Sequence, residues 1–482
     1  MLSRPNRGAN AAPLAKTSTG VEAKAREYIH LGYQRLLSFE VSGGGFEWFG
    51  QSPAHRTLTA YGLMEFEDMS RVIDVDPTII ERTRRWLLNC RQADGSWLPE
   101  GRVLHEDPTR GDVERLRTTA YIAWAVFGSS EKANRNFAAE RGQTLTLLQS
   151  ADVTNADSYT LALLANALLA IEPTSPAARN CLDHLLGRQR TSANGKLAWW
   201  SNTGEGSNLF HGAGRTRDIE TTALATLALL RAKQSPSVTH SALQWLITQK
   251  DARGTWHSTQ ATVLALKALV AATGQPLGES QPRRIEVSVD GQRVREVVIP
   301  ADQADVVQQL DLTPHTASGS HRIELVEPSC TGTTYQITAR HHRLERPTAA
   351  PSSPLSIELS FDRTSLRLDE TVTATAVVQN RSDATVPMLL LELPIPAGFT
   401  PDRSGFEQLV RANQIAKFQQ NPRTMVVYLR GLAAGGRFTL TYRLVATQPV
   451  RVTSPAAVAF EYYAPENRSS SQPATLTVEA AR

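Results

Sequence analysis

Residues 158–170 read SYTLALLANALLA, and their leucines and alanines indicate the kind of helix that recurs in the first half of the chain. Leu161, Leu164 and Leu168 recur at the three- and four-residue spacing of one helix face, and alanines fill most positions between the leucines. Small side chains permit neighbouring helices to approach closely. The stretch therefore predicts an inner helix that packs among other helices.

The same helical spacing extends from residue 21 to about residue 275. Short turns rich in Gly, Asp, Ser and Pro separate the apolar segments and mark the ends of helices. The first helix is expected to begin near Val21. The later predicted helices cover residues 57–69, 78–92, 118–128, 158–171, 219–232, 239–249 and 259–272.

One unit repeats within this region. An aromatic residue follows a glycine-containing turn, and then comes a helix that opens with Thr or Ser and Ala. The period is irregular, at roughly 40 to 60 residues, which is typical of stacked helical hairpins. Residues 21–275 are therefore predicted to form an α/α toroid of helical hairpins. The instances are Phe46-Glu47-Trp48 with Thr59-Ala60, Trp97 with Thr119-Ala120, Trp199-Trp200 with Thr222-Ala223, and Trp256 with Thr259-Gln260-Ala261.

Strand-like patterns replace the helical ones after Gln275. Short alternating runs occupy residues 283–345, and Asp290-Gly291 between the first two runs is a hairpin-turn signal. The run TYQITAR, residues 334–340, is one of these predicted strands, and His341-His342 follows it in the same segment. The fold class is therefore multidomain, with an α/α toroid followed by all-β domains.

A linker rich in Pro and Ser, residues 346–354, leads into a second β segment at residues 355–482. Seven strand-like runs with regular polar breaks are typical of a β-sandwich. One amphipathic helix, from Phe406 to Phe418 and including Lys417, is expected to interrupt this sandwich.

Composition excludes several classes of function. The chain has 482 residues, 41% hydrophobic and 20% charged, and a net charge of +4 with no long run of like charge. A nucleic-acid partner is therefore not expected. No stretch approaches the ~20 apolar residues of a membrane helix. Residues 1–20 lack the apolar core of a signal peptide, so no export signal is expected in this chain.

The three cysteines, Cys90, Cys181 and Cys330, are widely separated and odd in number. This spacing predicts free thiols and argues against a disulfide framework and against a zinc site. No metal and no cofactor are expected.

Three segments resemble the α2-macroglobulin family. Residues 28–66, with GYQR and the later GGF-x-WFG, are similar to the segment that follows the family's thioester motif. Residues 92–107, QADGSWLPEGRVLHED, resemble the loop with the thioester-directing histidine. LPIPAGF at 393–399 and FEYYAPENR at 460–468 resemble the receptor-binding-type macroglobulin domain.

The resemblance implies a division into domains and a function. Residues 21–275 would be the thioester-domain-like toroid, 283–345 a partial CUB-like segment, and 355–482 the receptor-binding-type sandwich, while 1–20 would be disordered or non-native. The implied function is an endopeptidase inhibitor that traps proteases, in an extracellular or periplasmic location. The implied partners are proteases and upstream macroglobulin domains supplied by another chain.

The family's covalent chemistry depends on Cys-x-Glu-Gln, which this sequence lacks. No cysteine of this chain is followed by x-Glu-Gln, neither Cys90 nor Cys181 nor Cys330. The only Glu-Gln pair is Glu407-Gln408, and Gly405 stands where its cysteine would be. We therefore expect no thioester and no bait region. The simplest explanation of their absence would be a truncated, split or mis-started reading frame. The alternative explanation is a free-standing domain that has been repurposed.

Few residues are candidates for chemistry. By resemblance His105 is the candidate thioester-directing histidine, latent here, with a surface histidine as the alternative. His55 is more simply a capping or packing residue. Adjacent strand residues point to opposite faces, so His341-His342 is not expected to bind metal. Asp74 and Asp76 together faintly resemble the acidic motif of terpene cyclases. Asp76 stands just before Pro77, however, and is better explained as a helix N-cap.

Three functions compete at this point. The first is the protease-trapping inhibitor, which is not an enzyme. The second is a toroid-fold enzyme of the terpene cyclase or prenyltransferase type, which requires convergent acidic residues, and only Asp74 and Asp76 offer them. The third is a non-covalent protein-interaction module. The tryptophans of the repeats are predicted to be packing residues between hairpins rather than a ligand cage.

Overall fold

Segments with leucine and alanine at helical spacing form the helices of the first half, because these residues lose little entropy in a helix and bury an apolar face. A computed structural model describes residues 11–100, 108–128, 136–201, 208–212, 214–251, 254–273, 282–300, 308–317, 319–328, 335, 337–339 and 353–480. The chain divides into two compact units, which are Met1–His184 with Asp402–Arg430, and Leu185–Pro401 with Gly431–Arg482.

The described residues before position 274 contain ten α-helices. Helix α6 is buried throughout except at Ala170, as expected of an inner helix. In the first unit α4 packs against α2 and α6, and in the second unit α8 packs against α9 and α10. The helices are α1 Ala11–Leu37, α2 Arg56–Met69, α3 Pro77–Asn89, α4 Pro108–Phe127, α5 Ala138–Gln149, α6 Ser158–Ile171, α7 Pro176–Leu186, α8 Gly214–Ala232, α9 Pro236–Thr248 and α10 Thr259–Thr273.

A hydrogen bond from the aromatic residue to a threonine of the following helix joins the parts of each repeat. The aromatic backbone N–H donates to the threonine Oγ1 in every case. The pairs are Phe46 with Thr59 at 2.9 Å, Trp97 with Thr119 at 3.0 Å, Trp200 with Thr222 at 3.1 Å, and Trp256 with Thr262 at 3.1 Å.

The helix after Trp256 opens at Thr259, as predicted, but the threonine that accepts from the Trp256 N–H is Thr262. Thr262 is the fourth residue of α10, as Thr59 is the fourth residue of α2, so that each hydroxyl faces the turn before its helix. Thr259 is the first residue of α10 and is exposed, and its hydroxyl contacts the hydroxyl of Tyr462 instead.

The repeated tryptophans pack between hairpins, as predicted. Trp97, Trp200 and Trp256 are buried, and each indole N–H donates to a carbonyl in the last turn of the preceding helix. The acceptors are Leu87 in α3, Leu185 in α7 and Leu246 in α9, at 2.7, 2.7 and 2.6 Å. Each indole thus adds a second hydrogen bond to a last-turn carbonyl that already accepts from a backbone N–H, that of Cys90, Arg188 or Gln249.

Two predictions about the helices are wrong. Helix α1 begins at Ala11, ten residues before Val21, so the expectation of a segment without helix at residues 1–20 fails for 11–20. Alanines favour the helix there, and Pro13 is tolerated because the first turn needs no N–H donor from it. The chain also forms α5 and α7, which the apolar spacing did not reveal; in α5 only Thr144 and Leu148 are buried.

The first β region contains a three-stranded antiparallel sheet in the order β4-β3-β5. Strand β3 is Arg283–Val289, β4 is Gln292–Ile299 and β5 is Ile323–Val326, after the two-residue strands β1 Arg190–Thr191 and β2 Ala198–Trp199. Asp290 and Gly291 turn between β3 and β4 with φ of 51° and 79°, which confirms the hairpin prediction. The described part of TYQITAR, Tyr335 and residues 337–339, is not a strand, and His341-His342 lies outside the described residues.

The sandwich strands of the second unit form three sets, β10-β13-β8-β6, β9-β15-β16 and β14-β17-β7. All pairs within these sets are antiparallel except β17 with β7. The strands are β6 Leu355–Phe361, β7 Ser365–Arg367, β8 Thr371–Asn380, β9 Leu389–Pro394, β10 Phe399–Pro401, β13 Arg437–Ala446, β14 Val450–Thr453, β15 Val458–Glu461, β16 Arg468–Ser470 and β17 Thr475–Glu479.

The first unit contains the remaining helix and hairpin, α11 Arg403–Arg411 with β11 Lys417–Asn421 and β12 Thr424–Leu429. The predicted helix from Phe406 to Phe418 is therefore too long, and Lys417 lies on a strand. Asn413 takes a left-handed conformation with φ of 56°, which ends the helix. Phe418 still packs on Phe406, with ring centroids 5.4 Å apart, so apolar spacing alone suggested one continuous helix.

Among the described residues, no helix combines the length and the apolar character that crossing a membrane requires.

Candidate functional site

His105, the residue that the sequence singled out, lies outside the described residues. Glu100 is the last described residue before it, and its carboxylate is bound to the start of α2. Glu100 Oε1 accepts from the backbone N–H of Arg56 and from Arg56 Nε at 3.1 Å. Glu100 is therefore anchored on the first turn of α2.

His55 is the N-cap of α2, which confirms its predicted structural role. Its Nδ1 accepts from the backbone N–H of Leu58 at 3.2 Å, and its ring meets Trp48 edge-on with centroids 5.9 Å apart. Burial lowers the pKa of His55, while the Glu100 carboxylate acts in the opposite direction. A neutral imidazole that accepts at Nδ1 suits a cap, which needs a lone pair.

The described cysteines are free thiols, as predicted. Burial raises the pKa of Cys90, and it raises the pKa of the buried Cys181 to about 12. Both thiols are therefore protonated at neutral pH, whereas a nucleophilic cysteine needs a stabilised thiolate. Cys330 lies outside the described residues.

Asp76 caps α3, as predicted, and accepts from the backbone N–H of Thr78 at 2.9 Å. This hydrogen bond lowers the pKa of the Asp76 carboxyl. Asp74 and Asp76 are both exposed rather than directed into a cavity. The geometry therefore gives these aspartates a structural explanation.

A buried carboxyl that sequence reasoning missed lies on α8. Glu220 is 1% exposed, and burial raises its pKa to about 7, although side-chain hydrogen bonds with Asn208 and Ser258 act in the opposite direction. Asn208 Nδ2 donates to Glu220 Oε2 at 2.9 Å. Glu220 Oε1 has no hydrogen-bond partner within the described ranges. A buried carboxyl with one unsatisfied oxygen is uncommon and requires a reason.

The backbone of residues 208–212 surrounds this carboxyl. A Cβ on Gly212 would stand 2.8 Å from Glu220 Oε1, so a larger residue there would press on the end of the Glu220 side chain. Asn208 and Gly212 close the turn through a backbone hydrogen bond of 2.9 Å, and His211 takes φ of 60° within it. The turn thereby holds the carboxyl near the start of α10, where Ser258 Oγ accepts from the backbone N–H of Ala261 at 3.0 Å.

Two tyrosines of the sandwich reach the same place. Tyr463 is 6% exposed, its ring contacts His211 with centroids 5.5 Å apart, and its hydroxyl has no partner within the described part of the chain. Burial, and then the charges of Tyr462 and Glu220, raise the pKa of Tyr463. The Tyr462 hydroxyl lies 3.2 Å from Thr259 Oγ1. The FEYYAPENR segment, noted only as a resemblance, therefore covers the buried carboxyl.

Residues 11–271 match the family model described as the A-macroglobulin TED domain, and residues 384–473 match the A-macroglobulin receptor binding domain. The chain is 25% identical to ovostatin of Gallus gallus over 467 residues, which is 93% of this chain and 30% of that protein. It is 23% identical to α2-macroglobulin-like protein 1 of Mus musculus over 456 residues, with 92% and 30% covered. The chain thus spans about 30% of the length of these relatives.

Solved structures show the same fold. The native conformation of Escherichia coli α2-macroglobulin has a TM-score of 0.64 at 17% identity, over 95% of this chain and 27% of that chain. Salmonella α2-macroglobulin reacted with methylamine has a TM-score of 0.57 at 19% identity, over 92% and 27%. These likenesses confirm the α/α toroid followed by β-sandwich domains. Since the TED model alone matches more than half of the sequence, the chain belongs to the α2-macroglobulin family.

Proposed function

We propose that this chain works as the C-terminal section of an endopeptidase inhibitor that traps proteases, without forming a thioester from its own residues. The observation that carries the proposal is the order of two matched domains, a TED toroid and then a receptor binding domain, along one chain. An extracellular or periplasmic location is part of the same proposal, since it depends on the family and not on a leader in these residues.

The absence of covalent chemistry rests on the sequence and on the thiols. No Cys-x-Glu-Gln occurs in the 482 residues. Cys90 and Cys181 are protonated thiols whose pKa burial raises. His105 would then be a latent thioester-directing histidine, which acts only where another segment presents an acyl group to it. Proteases are the proposed partners, together with upstream macroglobulin domains that another chain supplies.

Two other functions remain for comparison. The toroid-fold enzyme depended on Asp74 and Asp76, and since Asp76 caps α3 the geometry lends it no support. A non-covalent interaction module requires only the surfaces of the two domains. It differs from the trap in that it binds partners without shielding a protease from large substrates.

The trap hypothesis can be tested on the protein from its native source. An antiserum against this chain would isolate the natural protein, which is then mixed with trypsin or elastase. Casein and a small peptide substrate report the remaining activity. An enclosed protease keeps its active site but excludes large substrates, so casein hydrolysis should fall at least tenfold more than peptide hydrolysis, on the order of 1.4 kcal/mol in effective barrier.

The same samples decide between the alternatives. If both substrates are cleaved at unchanged rates in the presence of a molar excess of the natural protein, the trap function is wrong, and binding without inhibition would then favour the interaction module. Labelled methylamine tests the thioester separately. The recombinant 482-residue chain should incorporate none, and stoichiometric uptake would contradict the proposed lack of covalent chemistry.

A further inference from the structure

We propose that His321 holds the loop before β5 against the turn between β3 and β4 as a charged imidazolium, and that this contact opens when the ring loses its proton. The contact lies wholly within the second compact unit. The inference does not depend on protease trapping. It rests on the partners of the two ring nitrogens, each of which is an oxygen that only accepts hydrogen bonds.

Both ring nitrogens of His321 face an oxygen atom. Nδ1 lies 2.8 Å from Asp290 Oδ2, and Nε2 lies 2.9 Å from the carbonyl oxygen of Ala317. A carboxylate and a carbonyl supply lone pairs but no proton, whereas a neutral imidazole has a single N–H. A neutral ring would therefore direct the lone pair of one nitrogen at an oxygen. Only the imidazolium, with an N–H on each nitrogen, makes both hydrogen bonds.

The Asp290 side chain faces the ring as a carboxylate. Its Oδ1 accepts from the backbone N–H of Arg322 at 2.8 Å, and the backbone N–H of Asp290 donates to the carbonyl of Arg322 at 2.8 Å. The hydrogen bond from the Arg322 N–H, and then the one from His321, lower the pKa of the Asp290 carboxyl. The carboxyl is therefore ionised at neutral pH and cannot supply the proton that a neutral His321 would lack.

The contact secures the beginning of a short edge strand. Strand β5 pairs with β3 through its four residues, and no strand pairs with the other edge of β5 in the part of the chain that the structure describes. His321 and Arg322 come directly before β5, and Asp290 directly follows β3. Their hydrogen bonds therefore extend the β3–β5 pairing beyond its last strand residues. Loss of the His321 proton removes one of these bonds and lets the beginning of β5 fray.

The sign of the pH dependence follows from the same partners. The hydrogen bond to Asp290, and then the one to the Ala317 carbonyl, raise the pKa of His321 above the ordinary 6.5. The contribution of the contact to stability is therefore fully present below pH 6.5 and is lost as the pH rises through the pKa of the folded chain. The His321 side chain is 20% exposed and that of Asp290 is 51% exposed, so water screens the pair and its effect is small.

Other charged groups lie on the elements around His321, and several have partners of their own. Arg322 Nη2 donates to Glu324 at 2.6 Å, and Glu296 lies 2.7 Å from Arg284 and 2.5 Å from Arg293. The groups are Arg283, Arg284 and Glu286 on β3, Arg293, Arg295 and Glu296 on β4, Asp311 and His315 in the loop before β5, Arg322 and Glu324 at β5, and Glu327 after it.

Hydrogen exchange on the complete 482-residue chain tests the proposal. Exchange is followed between about pH 6 and about pH 9, from below the ordinary pKa of histidine to well above it, and rates are corrected for the intrinsic effect of pH. Protection of residues 317–326 should fall about two- to fivefold across this range, which is the size expected of a contact between partly exposed charged groups. Protection of β8 in the same unit should change less than about 1.5-fold.

Variants assign the effect to one pair of groups. His321→Gln should abolish the pH dependence, because an amide does not ionise in this range. Asp290→Asn keeps an acceptor for Arg322 and tolerates the φ of 51°, but it removes the charge and should move the midpoint to lower pH. His315→Gln is the control, since His315 is exposed in the same loop, and it should keep the midpoint. A flat profile in the unsubstituted chain, an unchanged profile in H321Q or D290N, or loss of the profile in H315Q would overturn the proposal.

Nuclear magnetic resonance of the chain labelled with nitrogen-15 histidine reads the ring itself. The His321 signals are those that disappear in H321Q or whose midpoint falls in D290N, so one folded variant is enough to assign them. The midpoint in the unsubstituted chain should lie above 6.5 and coincide with that of hydrogen exchange. A midpoint at or below 6.5 would overturn the proposal, whether or not H321Q folds.

Discussion

Arg430 Nη1 lies 2.9 Å from Glu47 Oε1 and joins the end of β12 to the first loop of the toroid within the first compact unit. Arg430 Nη2 donates to Gln51 Oε1 at 2.9 Å, and the guanidinium stands 4.9 Å above the ring of Phe49. Glu47 Oε2 in turn accepts from the backbone N–H groups of Phe49 and Gln51 at 2.8 and 3.1 Å. The loop and the arginine thus share one carboxylate.

Arg430→Ala is expected to destabilise the first unit by about 1 to 2 kcal/mol, because it removes a charge-assisted pair from a Glu47 side chain that is only 10% exposed. Arg430 is itself 41% exposed, which keeps the value below that of a fully buried pair. The measurement is the urea midpoint, with exchange protection of residues 46–51 as a local readout. Arg411→Ala is the control, since Arg411 is exposed and bonds within its own helix. Equal effects of the two variants would show that the contact of Arg430 with Glu47 adds nothing to the stability of the first unit.

The threonines of the repeats give a second prediction. Thr222→Ala leaves the buried N–H of Trp200 without an acceptor, so we expect a loss of about 1 to 3 kcal/mol in the free energy of unfolding. Thr222→Ser keeps the hydroxyl and should lose much less.

The pair Thr262 and Thr259 tests which residue completes the last repeat. Thr262→Ala should be the more destabilising change in urea unfolding, because Thr262 accepts from Trp256 and Thr259 is exposed. A larger effect at Thr259 would show that the hydrogen bond from Trp256 to Thr262 adds little to the stability of the last repeat.

Local patterns predicted the parts of the fold that depend on neighbouring residues. The leucine spacing of α6, the Asp290-Gly291 turn and the Asp76 cap are of this kind, since each follows from a few adjacent side chains. Helix α5 was missed because its two buried residues, Thr144 and Leu148, make no apolar stripe.

The buried carboxyl could not be predicted because its partners are distant in sequence. Asn208, Ser258 and Tyr463 meet Glu220 only after folding, and none carries a local signal. One weak signal existed. Glu220 precedes the pair Thr221-Thr222 on the apolar face of α8, and a charged residue on a buried face indicates either a partner or a special role.

His55 provides a prediction of pH dependence. Burial lowers the pKa of His55 below the ordinary 6.5. As the pH falls, the unfolded chain therefore takes up a proton at this residue before the folded chain does. Stability contributed by the cap is therefore present above pH 6.5 and is lost as the pH falls from 6.5 through the folded pKa, by at most about 1.4 kcal/mol for each pH unit. Protonation of Nδ1 also removes the acceptor for Leu58.

His55→Asn separates the cap from its titration, since asparagine is a good N-cap that does not ionise near neutral pH. The variant should fold normally and lose the extra decline in stability below pH 6.5, as measured by thermal unfolding at several pH values. His30→Asn, on exposed α1, is the control and should keep the decline. If H55N declines as the unsubstituted chain does, other groups cause the acid sensitivity.

Asn380 gives the last prediction, because Asn380-Arg381-Ser382 has the form of a glycosylation site. The side chain is fully buried, and its Nδ2 lies 2.7, 3.1 and 3.0 Å from the carbonyl oxygens of Ala384, Leu432 and Ala433. A glycan on Nδ2 would displace all three. We therefore expect no modification at Asn380 in folded protein from a glycosylating host, and peptide mass mapping measures it.

Asn467-Arg468-Ser469 is the matched site in the same chain, since Asn467 is only half-buried and its Nδ2 has one side-chain acceptor, Glu461, at 3.1 Å. Asn380→Asp should lower the free energy of unfolding by at least about 2 kcal/mol, because it turns a donor that faces three carbonyls into an acceptor. Asn467→Asp should have a smaller effect. A glycan found on Asn380 of soluble, folded protein would mean that the 380–384 turn forms without these hydrogen bonds. The predicted loss of unfolding free energy in Asn380→Asp would then be wrong as well.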